Sequence, residues 1–135
     1  MNKMKKLNHI GIAVTNLDRS IELYKNLGFE ITDIEEIPQQ KVRVAFVKLG
    51  ESRIELLEPT SLNSPIAKFL EKKGPGIHHL AVEVDDIKGK LQELEKTDIR
   101  LIDKEARKGS HGLSIAFIHP KSTQGVLLEL CEQIK

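Results

Sequence analysis

The chain has 135 residues, enough for one compact domain with a substantial apolar core. Its 21 lysines and arginines nearly balance 20 aspartates and glutamates, so the net charge of +1 provides no field that would attract nucleic acid or an anionic membrane. The single cysteine, Cys131, excludes an intramolecular disulfide framework. Because the sequence also shows neither a signal-peptide nor a transmembrane pattern, we expect a cytoplasmic protein.

The first part of the chain, about 7–59, predicts a strand, a helix and then three strands. Residues 7–14 alternate as a strand, and the helix after them can be capped by Asn16 or Asp18 and ended by Gly28. The three further strands are predicted at 29–36, 42–49 and 52–58. This order defines a βαβββ module.

A connector and a second module follow. Asn63-Ser64-Pro65 begins a short connector helix over about 64–74, which Gly74-Pro75-Gly76 ends. The second module covers about 77–133 in the same order. Its elements are predicted as a strand at 77–84, a helix at 86–96, and strands at 99–105, 113–118 and 126–132.

The two modules are versions of one another. The segment His9-Ile10-Gly11-Ile12-Ala13-Val14 matches His79-Leu80-Ala81-Val82-Glu83-Val84, about 70 residues further along the chain. Val44-Ala45-Phe46-Val47 matches Ile115-Ala116-Phe117-Ile118, and Ile54-Glu55-Leu56-Leu57-Glu58 matches Leu128-Glu129-Leu130-Cys131-Glu132. Each module therefore carries a histidine near its start and a glutamate near its end.

Strand alternation places these four side chains on corresponding faces. His9 and His79 lie opposite the apolar residues of their strands, and so do Glu55 and Glu129. We therefore expect an open cleft lined by two histidines and two glutamates, with the helices outside. Two imidazoles and two carboxylates suit one divalent ion such as Co, Zn, Ni or Mn.

The other histidines are assigned different environments. The repeat aligns His79, and not His78, with His9, so we expect His78 to face a helix or to lie behind the metal ligands. His111 and His119 fall in a predicted loop and at a strand end, where exposure is the expectation.

Several segments resemble the vicinal oxygen chelate proteins, also called the glyoxalase/bleomycin resistance superfamily, and within it the methylmalonyl-CoA epimerases. They are residues 7–14, 54–59, 64–69, 76–81 and the His119-Pro120-Lys121-Ser122 block. The resemblance implies an α+β fold of two βαβββ modules in one domain, 1–135. These would form a cupped, open, eight-stranded mixed sheet with helices outside.

The resemblance also implies an activity. The expected reaction interconverts (R)- and (S)-methylmalonyl-CoA through a metal-stabilised enolate, with His9, Glu55, His79 and Glu129 as metal ligands. Glu129 and Glu55 are the expected bases, and Lys121 and Ser122 would bind the acyl-CoA substrate. Some epimerases carry a further glutamate on the strand read here as 42–49, and this chain has none there.

Two alternatives remain open on the sequence. The same His, Glu, His, Glu set is typical of glyoxalase I, a lyase acting on the hemithioacetal of glutathione and methylglyoxal. Metal-free antibiotic-binding proteins share the fold, but they usually have aromatic clefts, whereas this chain has four Phe, one Tyr and no Trp. A homodimer is the expected assembly, since cupped sheets of this kind commonly pair.

Overall fold

The computed structural model describes residues 3–134, and the chain divides into two compact units. One unit runs from His9 to His78, and the other joins the chain up to Asn8 with the chain from His79 onward. Each unit thus contains most of one predicted module. The single domain over residues 1–135 remains a prediction from the sequence.

The first module contains five elements in the predicted order. They are β1 (Lys6–Ala13), α1 (Leu17–Asn26), β2 (Glu30–Ile37), β3 (Val42–Leu49) and β4 (Ser52–Pro59). The strands are hydrogen-bonded in the order β2-β3-β4-β1, with β1 parallel to β4 and the other pairs antiparallel. Of the two predicted caps of α1, Asn16 is used, because its side chain accepts from the Arg19 N–H at 3.0 Å.

The sheet of this module carries apolar clusters on both faces. The face toward α1 buries Leu17 of the helix with residues of β3 and β4. Ala13, Val44, Phe46 and Leu57 form a cluster on the other face, together with Ile66 of the connector helix α2 (Pro65–Lys73). The connector helix therefore packs on part of the sheet face that carries the predicted ligands.

The second module repeats the order with shorter strands. Its elements are β5 (Gly76–Glu83), α3 (Ile87–Glu95), β6 (Arg107–Lys108), β7 (Leu113–Ile118) and β8 (Leu128–Gln133). The strands are hydrogen-bonded in the order β5-β8-β7-β6, with β5 parallel to β8. Asp86 caps α3 by accepting from the Gly89 N–H at 3.0 Å. No helix of the described residues combines the length and apolar character needed to cross a membrane.

One predicted strand is wrong. In place of a strand at 99–105, the structure has a single bridge between Leu101 and Ile118 and the two-residue strand β6 further on. A side chain is the reason: the Asp103 carboxylate accepts the Phe117 N–H at 2.8 Å, where a regular ladder would use a backbone carbonyl. The Ile102 and Asp103 N–H groups both donate to the Phe117 carbonyl, so the segment turns away after one bridge.

Candidate active site

In the first module the structure brings His9 and Glu55 together. They lie on the parallel strands β1 and β4, where Gly11 is the partner of Glu55, so no side chain stands between them at that position. His9 Nδ1 is 3.3 Å from Glu55 Oε2, and the two residues are 1% and 3% exposed. A buried imidazole beside a buried carboxylate is therefore present in this module.

An arginine that the sequence analysis did not consider also contacts Glu55. The Arg53 Nε–H donates to Glu55 Oε2 at 2.9 Å, and Nη2 lies 2.7 Å from the same oxygen without hydrogen-bond alignment. The Arg53 guanidinium stands over the Phe46 ring at 5.5 Å. Strand alternation could have found it, because residues two apart on a strand share a face.

In the second module His79 and Glu129 come together in the same way. They lie on the parallel strands β5 and β8, with His79 Nε2 3.4 Å from Glu129 Oε1 and exposures of 6% and 4%. Phe117 of β7 is the strand partner of Glu129 and meets the His79 ring edge-on at 5.6 Å. Phe46 is likewise the strand partner of Glu55, so the repeat extends to the aromatic neighbour of each glutamate.

The second module has its own arginine, which is held differently. Arg107 stands over the Phe117 ring at 5.6 Å, as Arg53 does over Phe46. Its Nε–H donates to Asp103 at 3.2 Å, and its side chain is 45% exposed. The two modules thus match in histidine, glutamate and phenylalanine, and they differ in the acid that their arginine contacts.

A second glutamate of each module has a structural contact. Glu58 accepts the Leu17 N–H at 2.8 Å, and Glu132 accepts the Ile87 N–H at 2.8 Å. These N–H groups begin α1 and α3, where no backbone carbonyl of the helix can reach them. In the repeated Glu-x-x-Glu pattern, the first glutamate therefore contacts histidine and the second holds a helix.

His78 packs against the connector helix, as one of its predicted environments requires. Its ring meets Phe69 of α2 edge-on at 5.0 Å. Burial, with a smaller contribution from the positive charge of Lys73, lowers the pKa of His78 to about 4. His78 is therefore neutral at pH 7.

The loop between β7 and β8 carries the predicted substrate-binding residues. Lys121 is exposed, and its N–H donates to the His119 Nδ1 at 3.1 Å. Ser122 Oγ accepts the Arg100 N–H at 2.8 Å, so its hydroxyl oxygen has a structural contact. Partial desolvation and the positive charges of Arg100 and Lys121 lower the pKa of His119, which is half-buried, whereas His111 is exposed as predicted.

The donor set of each module fits half of a divalent metal site. A neutral imidazole nitrogen and a carboxylate oxygen are ligand types that Zn, Co, Ni and Mn accept. Both carboxylates are almost completely buried, and a buried carboxylate needs a nearby positive charge or hydrogen-bond donors. Arg53 provides such a charge in the first module, and a metal ion would provide one in either.

Comparison with known proteins connects these features to a family. Residues 8–117 match the Glyoxalase/Bleomycin resistance protein/Dioxygenase superfamily. Across 93% of its length the chain is 43% identical to the mitochondrial methylmalonyl-CoA epimerase of Homo sapiens, of which it covers 72%.

Solved structures of methylmalonyl-CoA epimerases are similar to this chain in fold. A crystal structure of methylmalonyl-CoA epimerase from Mycobacterium tuberculosis matches with a TM-score of 0.93 and 39% identity, over 98% of this chain and 90% of that one. A methylmalonyl-CoA epimerase in complex with methylmalonyl-CoA and NH4+ matches with a TM-score of 0.92 and 37% identity, over 97% and 96%. The predicted glyoxalase-like fold, an eight-stranded mixed sheet of two βαβββ modules, is confirmed.

Proposed function

The chain belongs to the Glyoxalase/Bleomycin resistance protein/Dioxygenase superfamily, and from that membership we propose that it is an isomerase that interconverts (R)- and (S)-methylmalonyl-CoA. The main structural support is the buried His–Glu pair in each module, whose imidazole nitrogen and carboxylate oxygen are 3.3 Å apart in one module and 3.4 Å apart in the other. The epimerases to which the chain is similar supply the substrate class.

We propose that His9, Glu55, His79 and Glu129 together bind one divalent ion. Each module contributes one imidazole and one carboxylate at equivalent positions, which supports a single shared site on the duplicated frame. Zn, Co, Ni and Mn all accept this donor set. When bound, such an ion supplies Lewis-acid stabilisation of negative charge on the substrate oxygens.

The proton transfers fall to the chain's own carboxylates. Epimerisation removes the proton from the carbon between the thioester and the carboxylate, and returns a proton on the other face. We propose Glu129 as one base and Glu55 as the second. The contacts of Arg53 with Glu55 Oε2 make Glu55 a weaker proton acceptor, because a guanidinium stabilises the ionised form of a carboxylate.

The phenylalanines beside the glutamates exclude water from this chemistry. Phe46 is 1% exposed and Phe117 is partly buried, and each is the strand partner of a proposed base. Low access of water strengthens electrostatic interactions with a developing negative charge.

Substrate binding is proposed for the loop between β7 and β8. Lys121 is exposed and lies beside His119 and Arg100 in a positively charged region, which suits the carboxylate or phosphates of an acyl-CoA. Ser122 can still donate its hydroxyl hydrogen while its oxygen accepts from Arg100. The homodimer and the cytoplasmic location stay predictions.

The test is exchange of the substrate's alpha proton with deuterated solvent. Purified protein is incubated with methylmalonyl-CoA, and the loss of the alpha-proton NMR signal is followed beside a lyase assay with the hemithioacetal of glutathione and methylglyoxal. We expect rapid exchange and no lyase product. Turnover of the hemithioacetal without exchange would replace the epimerase by the lyase.

A further inference from the structure

Arg53 contacts one of the two oxygens that Glu55 could offer to the proposed metal ion. Arg53 Nε and Nη2 lie 2.9 and 2.7 Å from Glu55 Oε2, and His9 Nδ1 is 3.3 Å from the same oxygen. A carboxylate oxygen has two lone pairs. The Nε–H bond uses one of them, and Nη2 lies against the same oxygen without hydrogen-bond alignment, so a metal ion bound to Oε2 would share this oxygen with the guanidinium.

The charge of Arg53 opposes a metal ion as well. A guanidinium stays protonated at every physiological pH, so Arg53 is a permanent cation beside Glu55. Its side chain is only 20% exposed, which limits screening of its repulsion toward a second cation by solvent. The contact with Phe46 and the pair with Glu55 hold the guanidinium in place.

We propose that Arg53 is an internal cation that competes with the divalent ion for Glu55. Arg53 neutralises Glu55 in the metal-free protein, and metal binding displaces its guanidinium from Oε2. Arg53 thereby weakens metal affinity and keeps the buried carboxylate paired when no metal is bound. This inference rests on the proposed function, because it takes Glu55 as a metal ligand.

The same module offers a matched control. Arg43 on β3 pairs with Glu58 at 3.3 Å, and it too is a partly buried arginine beside a strand glutamate. Glu58 holds the start of α1 and is not a proposed ligand. Replacing Arg43 removes an arginine–glutamate pair from this module without changing a proposed metal ligand.

The experiment measures metal affinity without substrate. Metal-free wild type and the variants Arg53→Met, Arg53→Gln, Arg53→Lys and Arg43→Met are titrated with Co²⁺ in a calorimeter, and the visible absorption of bound Co²⁺ is recorded. We expect Arg53→Met and Arg53→Gln to bind Co²⁺ about tenfold more tightly or better, because one neighbouring positive charge is gone. Arg53→Lys keeps the charge and Arg43→Met lies outside the site, so both should remain within about threefold of wild type.

Several outcomes would overturn the proposal. Unchanged or weaker Co²⁺ binding by both neutral Arg53 variants would mean that Arg53 supports the ligand and does not compete. If Arg43→Met also bound Co²⁺ more tightly to the same extent, the gain in affinity would come from the lower net charge and not from the position of Arg53. Absence of binding in wild type and in both neutral variants would remove the metal site for which Arg53 is proposed to compete.

The proposed function is tested separately by alpha-proton exchange in the wild type. An active epimerase whose Co²⁺ affinity does not respond to Arg53 overturns this inference alone. A protein whose affinity responds as expected but that exchanges no alpha proton overturns the epimerase proposal alone.

Discussion

The repeated Glu-x-x-Glu pattern predicts that neighbouring glutamates can be separated by experiment into one that serves activity and one that serves stability. Replacing Glu129 by Gln removes a proposed base and metal ligand but keeps the size of the side chain. Replacing Glu132 by Ala removes the acceptor of the Ile87 N–H at 2.8 Å, at the first turn of α3. We expect the first change to abolish alpha-proton exchange and the second to lower thermal stability.

The size of the stability effect follows from the contact. A side-chain acceptor at a helix N-terminus contributes about 0.5–2 kcal/mol. A carboxylate near the positive end of a helix adds about 0.3–1 kcal/mol. For the half-buried Glu132 we expect Ala to cost about 2 kcal/mol, which lowers Tm by about 5–8 °C in a chain of this size. Glu132→Gln keeps an acceptor and loses only the charge, so its cost should be at most about 1 kcal/mol.

Both variants are compared with wild type by calorimetric melting and by alpha-proton exchange at a temperature where all are folded. Glu132→Ala should retain most of the exchange rate, and Glu129→Gln should stay folded at that temperature, because Gln keeps the size of the side chain. Loss of exchange in a fully folded Glu132→Ala protein would refute the division of roles. So would unchanged exchange in Glu129→Gln.

Four further predictions follow from the structure. Removal of divalent ions with a chelator should abolish exchange and added Co²⁺ should restore it; full exchange with a negligible metal content would exclude a metal role. Because the pKa of His78 is lowered to about 4, the unfolded chain binds more protons between about pH 6.5 and 4, so stability is present above this range and falls as the pH decreases through it. His78→Phe should remove up to about 2 kcal/mol of that decrease between melts at pH 7 and pH 4.5, and an equal decrease in the two proteins would contradict it. Gly109→Ala places a Cβ 2.8 Å from Ile115 Cγ2 and should lower stability by about 1–3 kcal/mol in denaturant melts. Lys121→Ala should raise the KM for methylmalonyl-CoA about threefold to tenfold with kcat nearly unchanged, and an unchanged KM would assign Lys121 to an ordinary solvated turn.

The sequence predicted the fold and the strand faces that carry the histidine and the glutamate of each module, because both depend on local, repeated patterns. Strand alternation determines the face on which His9 and Glu55 lie, and the duplication selects His79 over His78 without any knowledge of packing. The sequence could not choose between the two possible caps of α1. Asn16 and Asp18 are both residue types that cap helix N-termini, and only the exact start of the helix separates them.

The connector helix shows a limit of the same reasoning. The sequence predicts the helix but not the surface it covers, because a pattern can indicate a helix without identifying its packing partner. Ile66 packs onto the sheet face that also carries Glu55, at Phe46 and Leu57. The connector helix therefore packs on part of the ligand face of the first module, a contact that the sequence pattern did not indicate.

The wrongly predicted strand and the unlike arginines of the two modules have a common cause in Asp103. One Asp103 oxygen accepts the Phe117 N–H and thereby interrupts the ladder that a strand at 99–105 would need. Its other oxygen accepts from Arg107, which stands over Phe117 as Arg53 stands over Phe46. The irregular segment thus gives the second module's arginine an acid of its own, whereas the first module's arginine contacts the proposed ligand Glu55. A side chain that takes over a backbone contact leaves no periodic signal, and for this reason the asymmetry between the two glutamates became visible only in the structure.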